Sequence, residues 1–179
     1  MVIDAQLAGL RTALTIATIL DRVLILPRFQ CFKNPTHSFV ECPLNALLNM
    51  TAFDAGFGSR YRESSFLRHP LMPDAVRRSI SRRYVIATPP ANGVDTVPAS
   101  SDHSSTTNVV RQNNTGSISD DELRQLLGTD QHRIISLATL QHVRVTFRSA
   151  AQQRTFERTV RASLKRSNYR QLHISTKTL

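Results

Sequence analysis

The sequence predicts a mixed α/β fold with a partial Rossmann-like layer of helix and buried-strand units, long loops and a disordered insertion. Three observations carry this prediction. Residues 3–20 form an almost wholly apolar helical pattern. Residues 23–26 form an unbroken apolar run that stops at Pro27, which is typical of a strand buried on both faces of a parallel sheet. Residues 91–117 are rich in Ser, Thr, Asn, Pro and Gly, so they bury too little apolar surface to offset the entropy of ordering.

The first helix rests on apolar residues that recur at steps of three and four positions. These residues are Ile3, Leu7, Leu10, Leu14 and Ala17, and the stripe is widened by Ala13, Ile16 and Leu20. Little polar face remains, so we expect this helix to be covered on more than one side. A helix, a short turn and a buried strand form an αβ unit that normally follows another strand. We therefore expect the chain to begin inside a larger layer, as a fragment or a shortened copy.

The middle of the chain is predicted to be an ordered loop over residues 28–73, with a short helix near residues 44–49. Four prolines, two glycines and only short apolar clusters favour this interpretation. A second short helix, opened by Asp74, is predicted for residues 74–83. Residues 84–88 then form a second apolar run that Pro89 ends.

Order is predicted to resume at a helix that begins after Ser119. Ser119 at the N-cap and Glu122 three residues later make a capping box, which Ile118 and Leu123 flank as a hydrophobic staple. Gly128 is predicted to end this helix in the left-handed conformation. The pattern then predicts a buried strand at 134–137.

Beyond residue 142, apolar and polar residues alternate as in a strand with one wet face. A last helix follows, capped by Ser149, with Phe156, Val160 and Leu164 on its inner face. The chain is therefore divided into an αβ unit with a long loop region (1–90), the insertion (91–117), a βα-type segment (118–166) and a polar tail (167–179).

Basic residues exceed acidic ones, with 23 Lys and Arg against 13 Asp and Glu. The final 49 residues hold ten of these cations and one acid, so they carry nearly all of the net charge of +10. Twenty of the cations are arginines, which favour bidentate contacts with phosphate or carboxylate, although a GC-rich genome produces the same bias. No apolar run is long enough to span a membrane, so we expect no membrane span.

Three short motifs follow the first helix in a fixed order: LPRFQC at 26–31, CPLN at 42–45 and RESSFLRHP at 62–70. A fourth, SDDELRQLL, occupies 119–127. Together with the apolar helix that precedes them, from Leu10 to Arg22, these motifs resemble glycosyltransferase family 77, the nucleotide-diphospho-sugar transferases of plants and protists. The resemblance covers roughly residues 1–75 and 118–140. The chain departs from the family at Asn45, where Asp is usual, and after Cys31, where the family often continues with Asp-Arg.

The resemblance implies transfer of a sugar from a nucleotide sugar to a polysaccharide or glycoprotein acceptor, with cell-wall glycans among the products. It also implies a place in the Golgi lumen, although nothing in the sequence targets the chain there. Such transferases hold a divalent metal with Asp-x-Asp, a motif that these 179 residues lack. We therefore expect the chain to be the C-terminal portion of the family pattern and catalytically incomplete. No cofactor is evident, and a metal such as manganese is expected only with an upstream donor-binding half.

A charge-dense loop supplies the candidate site residues. In a sugar-transfer site the guanidinium groups of Arg60, Arg62 and Arg68 would bind the diphosphate, and Glu63 would act as base toward an acceptor hydroxyl. The competing interpretation is a structural Arg–Glu pair beneath a long loop. The acidic run at 120–122 is explained by the capping box rather than by a metal. The histidines show no metal-ligand spacing.

Cys31 and Cys42 enclose a loop of about a dozen residues. A disulfide between them would stabilise the fold by about 3 kcal/mol in the chain-entropy model, and two buried thiols in a cytosolic protein are the alternative. Asn49 and Asn113 each begin a glycosylation sequon.

A second function class remains open, in which the chain is a non-enzymatic basic binding module. Its arginine-rich C-terminal segment would contact nucleic acid or another anionic surface. Aromatic residues make up only 6% of the chain, which leaves few platforms for base stacking. Nucleic acid is therefore not the expected partner.

Overall fold

The computed structural model describes residues 2–33, 38–78, 83–87, 107–111, 117–128, 136–138 and 143–164. Helices combine with small parallel and antiparallel sheets, so the fold is mixed α/β, as the sequence predicts. The helices are α1 (Val2–Ile19), α2 (Leu44–Leu47), α3 (Met50–Phe57), α4 (Asp74–Arg78), α5 (Asp120–Leu127) and α6 (Ala150–Ser163), with a 3-10 helix at Ser64–Arg68. The strands are β1 (Leu24–Ile25), β2 (Gln30–Lys33), β3 (Ser38–Glu41), β4 (Tyr61–Arg62), β5 (Arg83–Ala87), β6 (Thr107–Arg111), β7 (Ser117–Ser119), β8 (Ser136–Ala138) and β9 (Arg144–Thr146).

The described strands form four small sheets. Strand β1 runs parallel to β4, with Leu24 opposite Tyr61. Strands β2 and β3 form an antiparallel pair, and β5 lies between β6 and β8 in a parallel three-stranded sheet. Strand β7 runs parallel to β9, with Ile118 opposite Val145. Most described strand pairs are thus parallel, which places the ends of neighbouring strands at a common edge.

Helix α1 lies where the sequence predicts it and is covered along most of its length. Leu10 and Leu14 belong to one apolar cluster, which we call the first core. Ile16 and Ile19, nearer the C-terminal end of the helix, belong to a separate cluster, which we call the second core. The expectation that this helix is covered on more than one side is confirmed, because α1 contributes buried side chains to both cores.

The first core joins α1, the segment after β1, α3 and α6. Its buried members are Leu10, Leu14, Leu26, Phe29, Cys31, Cys42, Leu47, Leu48, Phe53, Phe57, Phe156 and Val160. A chain of aromatic contacts links the helices, since Phe57 packs edge-on against Phe156 with ring centroids 6.1 Å apart. The backbone N–H of Asn49 also donates to the Ser163 carbonyl at 2.8 Å. These contacts hold α6 against α3. The buried positions of Phe156 and Val160 agree with the inner face predicted for the last helix.

The second core is smaller and is built around α5. Ser119 and Glu122 form the predicted capping box, with the Ser119 N–H donating to the Glu122 carboxylate at 2.9 Å. Ile118 and Leu123, the predicted staple residues, are both buried. Strand β9 shows the predicted alternation of buried and exposed positions. The local patterns of this segment are therefore confirmed.

Several details of the predicted elements are wrong. The helix predicted for 74–83 does not include Arg83, which is the first residue of β5. Strand β1 is only two residues long, and Leu24 and Ile25 are only partly buried, so it is not covered on both faces. Val23, in the same apolar run, is 51% exposed, whereas Leu26 at its other end is buried. Gly128 ends α5 at a φ of −68°, in the right-handed rather than the left-handed region.

The long loop predicted for residues 28–73 in fact contains the β2–β3 hairpin, α3 and β4, as well as the short helix predicted near residue 44. Asn49 supplies the N-cap of α3 and Phe53 and Phe57 its buried face, so the proline and glycine content misled the prediction. The predicted disordered insertion is also wrong in part. Strand β6, with several β-branched residues, lies within it and pairs with β5. The rest of that stretch before residue 117 and the tail at 167–179 lie outside the described residues.

Candidate functional site

A groove opens at the carboxyl ends of the parallel strands β1 and β4. The N–H of Leu26 donates to the Arg62 carbonyl at 2.9 Å, which keeps the two chains together just past the strands. Pro27 and Arg28 continue from β1, and Glu63 continues from β4, into the wall of the groove. The carboxyl edge of parallel strands is where open α/β sheets bind their ligands.

The opposite wall comes from the end of β3 and the start of α2. Cys42 and Asn45 line it, and the Cys42 N–H donates to the Phe29 carbonyl at 2.8 Å. A disulfide joins Cys42 to Cys31, with the two Cα atoms 5.3 Å apart and both side chains buried. The sequence allowed either a disulfide or two free thiols at Cys31 and Cys42, and the structure contains the disulfide. The covalent link holds this wall against the segment that follows β1.

The groove has a volume of about 380 Å³ and two kinds of lining. Its apolar lining consists of Leu26, Phe29, Leu44 and Met50, with Pro27 and Pro43. Its polar side chains are Arg28, Glu41, Asn45, Glu63 and Ser64. Such a mixture of apolar surface and a few converging polar groups is the usual composition of a small-molecule site.

The charged groups of the groove lie at its exposed rim. The Arg28 guanidinium lies 3.5 Å from the Glu41 carboxylate, and both side chains are largely exposed. On the β4 side, the Ser65 hydroxyl donates to the Glu63 carboxylate at 3.5 Å, a long hydrogen bond. Glu63 is exposed, so its carboxylate is accessible to a ligand in the groove.

The structure brings only one of the four predicted site residues into the groove lining. Arg60 forms an ion pair with Asp21 at 3.4 Å, and Arg62 donates to the neighbouring Tyr61 carbonyl at 2.7 Å. Arg68 lies exposed on the 3-10 helix. Among the described residues, none of these arginines pairs with Glu63 or lines the groove. The guanidinium that does line it belongs to Arg28, whose only sequence signal is its place in the LPRFQC motif.

Tyr61 connects the groove strand β4 to α3. Its ring packs edge-on against Phe53 with centroids 4.8 Å apart, and its hydroxyl donates to the Asp54 carboxylate. The hydrogen bond to Asp54, together with burial, raises the pKa of Tyr61 to about 12. Sequence reasoning missed both side chains, because nothing in their spacing indicates that a loop tyrosine reaches back to a helix.

The other predicted features fall outside the groove. Asn49 is exposed, and its side-chain oxygen caps α3 by accepting from the Ala52 N–H at 3.3 Å. Asn113 lies outside the described residues. Asp120 is buried, Asp121 pairs with Arg148 at 3.4 Å and Glu122 belongs to the capping box. No cluster of His, Cys, Asp and Glu suited to a metal ion occurs in the described part of the chain.

Within the same described ranges, no helix has the length and apolar character needed to cross a membrane. Comparison of the chain with protein-family models, with curated proteins and with solved structures finds no match.

Proposed function

We propose that the groove contributes to the substrate site of a nucleotide-sugar-dependent glycosyltransferase. One observation carries the proposal. The three motifs of the family resemblance, at 26–31, 42–45 and 62–70, are separated in sequence yet meet at this groove. In the same proposal, β1 and β4 belong to a Rossmann-like layer whose carboxyl edge bears the site.

The lining suits a sugar-containing ligand. The apolar side chains of Leu26, Phe29 and Met50 offer a surface for the C–H face of a sugar ring. Asn45 and the two carboxylates, Glu41 and Glu63, offer hydrogen-bond partners for its hydroxyls.

Two groove residues have roles in the proposed chemistry. Glu63 is an exposed carboxylate beside the end of β4, where a general base toward an acceptor hydroxyl has to stand. Arg28 replaces the loop arginines as the guanidinium positioned for a phosphate group. Glu41, 3.5 Å from Arg28, orients that guanidinium across the rim.

The implied partners are a nucleotide sugar and a glycan or glycoprotein acceptor. A lumenal, oxidising compartment such as the Golgi is supported by the Cys31–Cys42 disulfide, because such bonds are rare in the cytosol. The chain has no Asp-x-Asp, so we expect it to bind sugar ligands without turning over a sugar nucleotide, even with added manganese.

Chemical-shift mapping of the full oxidised chain tests this proposal. Uridine and guanosine diphosphate sugars and neutral disaccharides are titrated separately into the labelled protein. We expect shifts at residues 26–29, 42–45 and 63–64. Binding should weaken by about tenfold or more for Glu63→Gln, because hydrogen bonds to charged groups contribute about 1.5–3 kcal/mol, and by less for Asn45→Ala, because a neutral hydrogen bond contributes about 0.5–1.5 kcal/mol. Asp121→Asn, which removes an exposed carboxylate distant from the groove motifs, is the matched control.

Shifts elsewhere, or none with any of these ligands, would contradict the proposal. Turnover of a sugar nucleotide that Glu63→Gln abolishes and Asp121→Asn preserves would instead place a complete catalytic centre in this chain.

A further inference from the structure

Helix α6 presents two faces of opposite character. Phe156, Val160 and Ser163 are buried, and they pack this helix onto the rest of the protein. Arg154, Arg158 and Arg161 are all exposed. At 3.6 residues per turn, the three arginines lie within an arc of about 60° on the side opposite the buried residues. We call these three residues the arginine face.

The arginine face is not neutralised by the described part of the protein. None of its three side chains takes part in an ion pair with a described carboxylate. The acidic residue of α6, Glu157, is already bound by Arg11 and by the Gln153 amide. The face is therefore a row of three available cations that extends about 10 Å along the helix axis.

A straight row of guanidinium groups fits a linear polyanion. Guanidinium groups form paired, charge-assisted hydrogen bonds with carboxylate, sulfate or phosphate oxygens. One isolated anion would meet only one or two of the three arginines, whereas a chain of regularly spaced anions engages all of them. The residues of this face also lie apart from the groove, none of whose lining belongs to α6.

The disulfide decides which polyanion is the better fit. Cys31 and Cys42 are bonded and buried, which indicates a protein that matures in an oxidising compartment. The exposed sequon at Asn49 is compatible with the same route. Nucleic acid is not a resident polyanion of such compartments, whereas sugar chains with uronate or sulfate groups are.

We propose that the arginine face of α6 binds an acidic polysaccharide, through the carboxylate or sulfate groups that the chain displays in series. Such a surface would keep the protein attached to a glycan while the groove binds its own sugar ligand. Binding of the polysaccharide to the arginine face does not depend on binding in the groove. A failure to detect binding of sugar ligands in the groove would therefore leave this proposal standing, and a failure of the arginine face to bind acidic polysaccharide would leave the proposed function of the groove standing.

Affinity measurements on the full oxidised chain test the proposal. The probes are polygalacturonate for carboxylates, heparin for sulfates, neutral dextran, and single-stranded DNA and RNA. Arg154→Gln/Arg158→Gln/Arg161→Gln removes the face. Arg62→Gln/Arg68→Gln/Arg144→Gln removes three exposed charges elsewhere and is the matched control. The triple lysine variant of the face keeps the charge, so it reports on the same surface even if the glutamine variant fails to fold.

We expect the protein to bind polygalacturonate or heparin but not dextran, and the preferred probe identifies the anionic group. Loss of the face should weaken binding by roughly tenfold and flatten its salt dependence, because fewer counterions are released. The lysine variant should retain most of the affinity and the control variant nearly all of it. Absence of binding to both acidic glycans, equal loss in the two glutamine variants, or tighter binding to nucleic acid than to either glycan would overturn the proposal.

Discussion

The two cores that share α1 are assembled in different ways. The first core draws Leu14, Phe53 and Phe156 from parts of the chain that are far apart, and it supports the groove and the disulfide. The second core takes half of its buried members, Ile118, Leu123 and Leu127, from the neighbourhood of α5, and the other half comes from α1 and from Val143 beside β9. The groove thus depends on long-range packing, whereas α5 depends on its own cap and on a few apolar contacts.

The largest expected effect comes from Phe53→Ala in the first core. Phe53 is fully buried and contacts the rings of Phe57 and Tyr61, so its loss should lower the free energy of unfolding by about 3–5 kcal/mol. Leu123→Ala should cost about 2–5 kcal/mol in the second core. Urea denaturation measures both. Ligand binding in the groove should weaken in the first variant only, and equal weakening in both would remove the distinction between the cores.

The disulfide should contribute the next largest effect. Replacing Cys31 and Cys42 together with Ala should lower the free energy of unfolding by about 3 kcal/mol, because the denatured chain loses a closed loop. Thiol counting on unfolded, non-reduced protein from a secretory host should find no free thiol. Two free thiols would contradict the bridge and weaken the assignment to an oxidising compartment.

Removing the cap of α5 should have a smaller effect. Ser119→Ala removes the half of the capping box in which the Ser119 hydroxyl accepts from the Glu122 N–H, keeps the half donated by the backbone N–H, and should cost about 1 kcal/mol in thermal or urea unfolding. Ser149→Ala removes the simpler cap of α6, where the hydroxyl accepts only from the Gln152 N–H at 3.4 Å, and should cost less. A larger loss for Ser149→Ala would show that the capping box is not what stabilises the second core.

Tyr61 should have no effect on the pH dependence of stability near neutral pH and a measurable one in alkali. Its pKa is about 12 in the folded state against an ordinary value of 10.0, so the folded protein keeps a proton that the unfolded chain releases. This contribution is fully present below pH 10 and is lost as the pH rises toward 12. Tyr61→Phe should abolish that window and remove a tyrosine that titrates near pH 12 by ultraviolet absorbance. An unchanged titration curve would contradict the Asp54 hydrogen bond.

The sequence predicts those parts of the fold that depend on interactions within one segment, such as apolar periodicity and helix capping. The apolar stripe of α1, the Ser119 cap and the Ser149 cap each lie within one segment, and all are found as predicted. Helix α3 was missed although Asn49, Phe53 and Phe57 mark its cap and inner face, because Gly56 and Gly58 outweighed them. Gly56 in fact lies where a side chain would collide with Thr159 of α6, a long-range reason that no local pattern shows.

The candidate site likewise has a part that the sequence predicts and a part that only the structure shows. The motif segments and the choice of Glu63 as a candidate follow from the sequence, but the meeting of the motif segments at one groove does not. Arg60 and Arg62 were assigned to the ligand because they flank Glu63 in sequence. In the structure, however, Arg60 forms an ion pair with Asp21 and Arg62 donates to the Tyr61 carbonyl. Arg28 enters the groove from another strand end, which only the pairing of β1 with β4 reveals.

Hydrogen–deuterium exchange with and without a saturating sugar ligand tests most directly whether the groove beside the first core is the ligand site. The predicted result is slower exchange at residues 26–29, 42–45 and 63–64 together, with no change at residues 118–128 in the second core. The Glu63→Gln variant should lose this protection at the same ligand concentration, and Asp121→Asn should keep it. Protection confined to the second core, or a uniform change across both regions, would contradict the account.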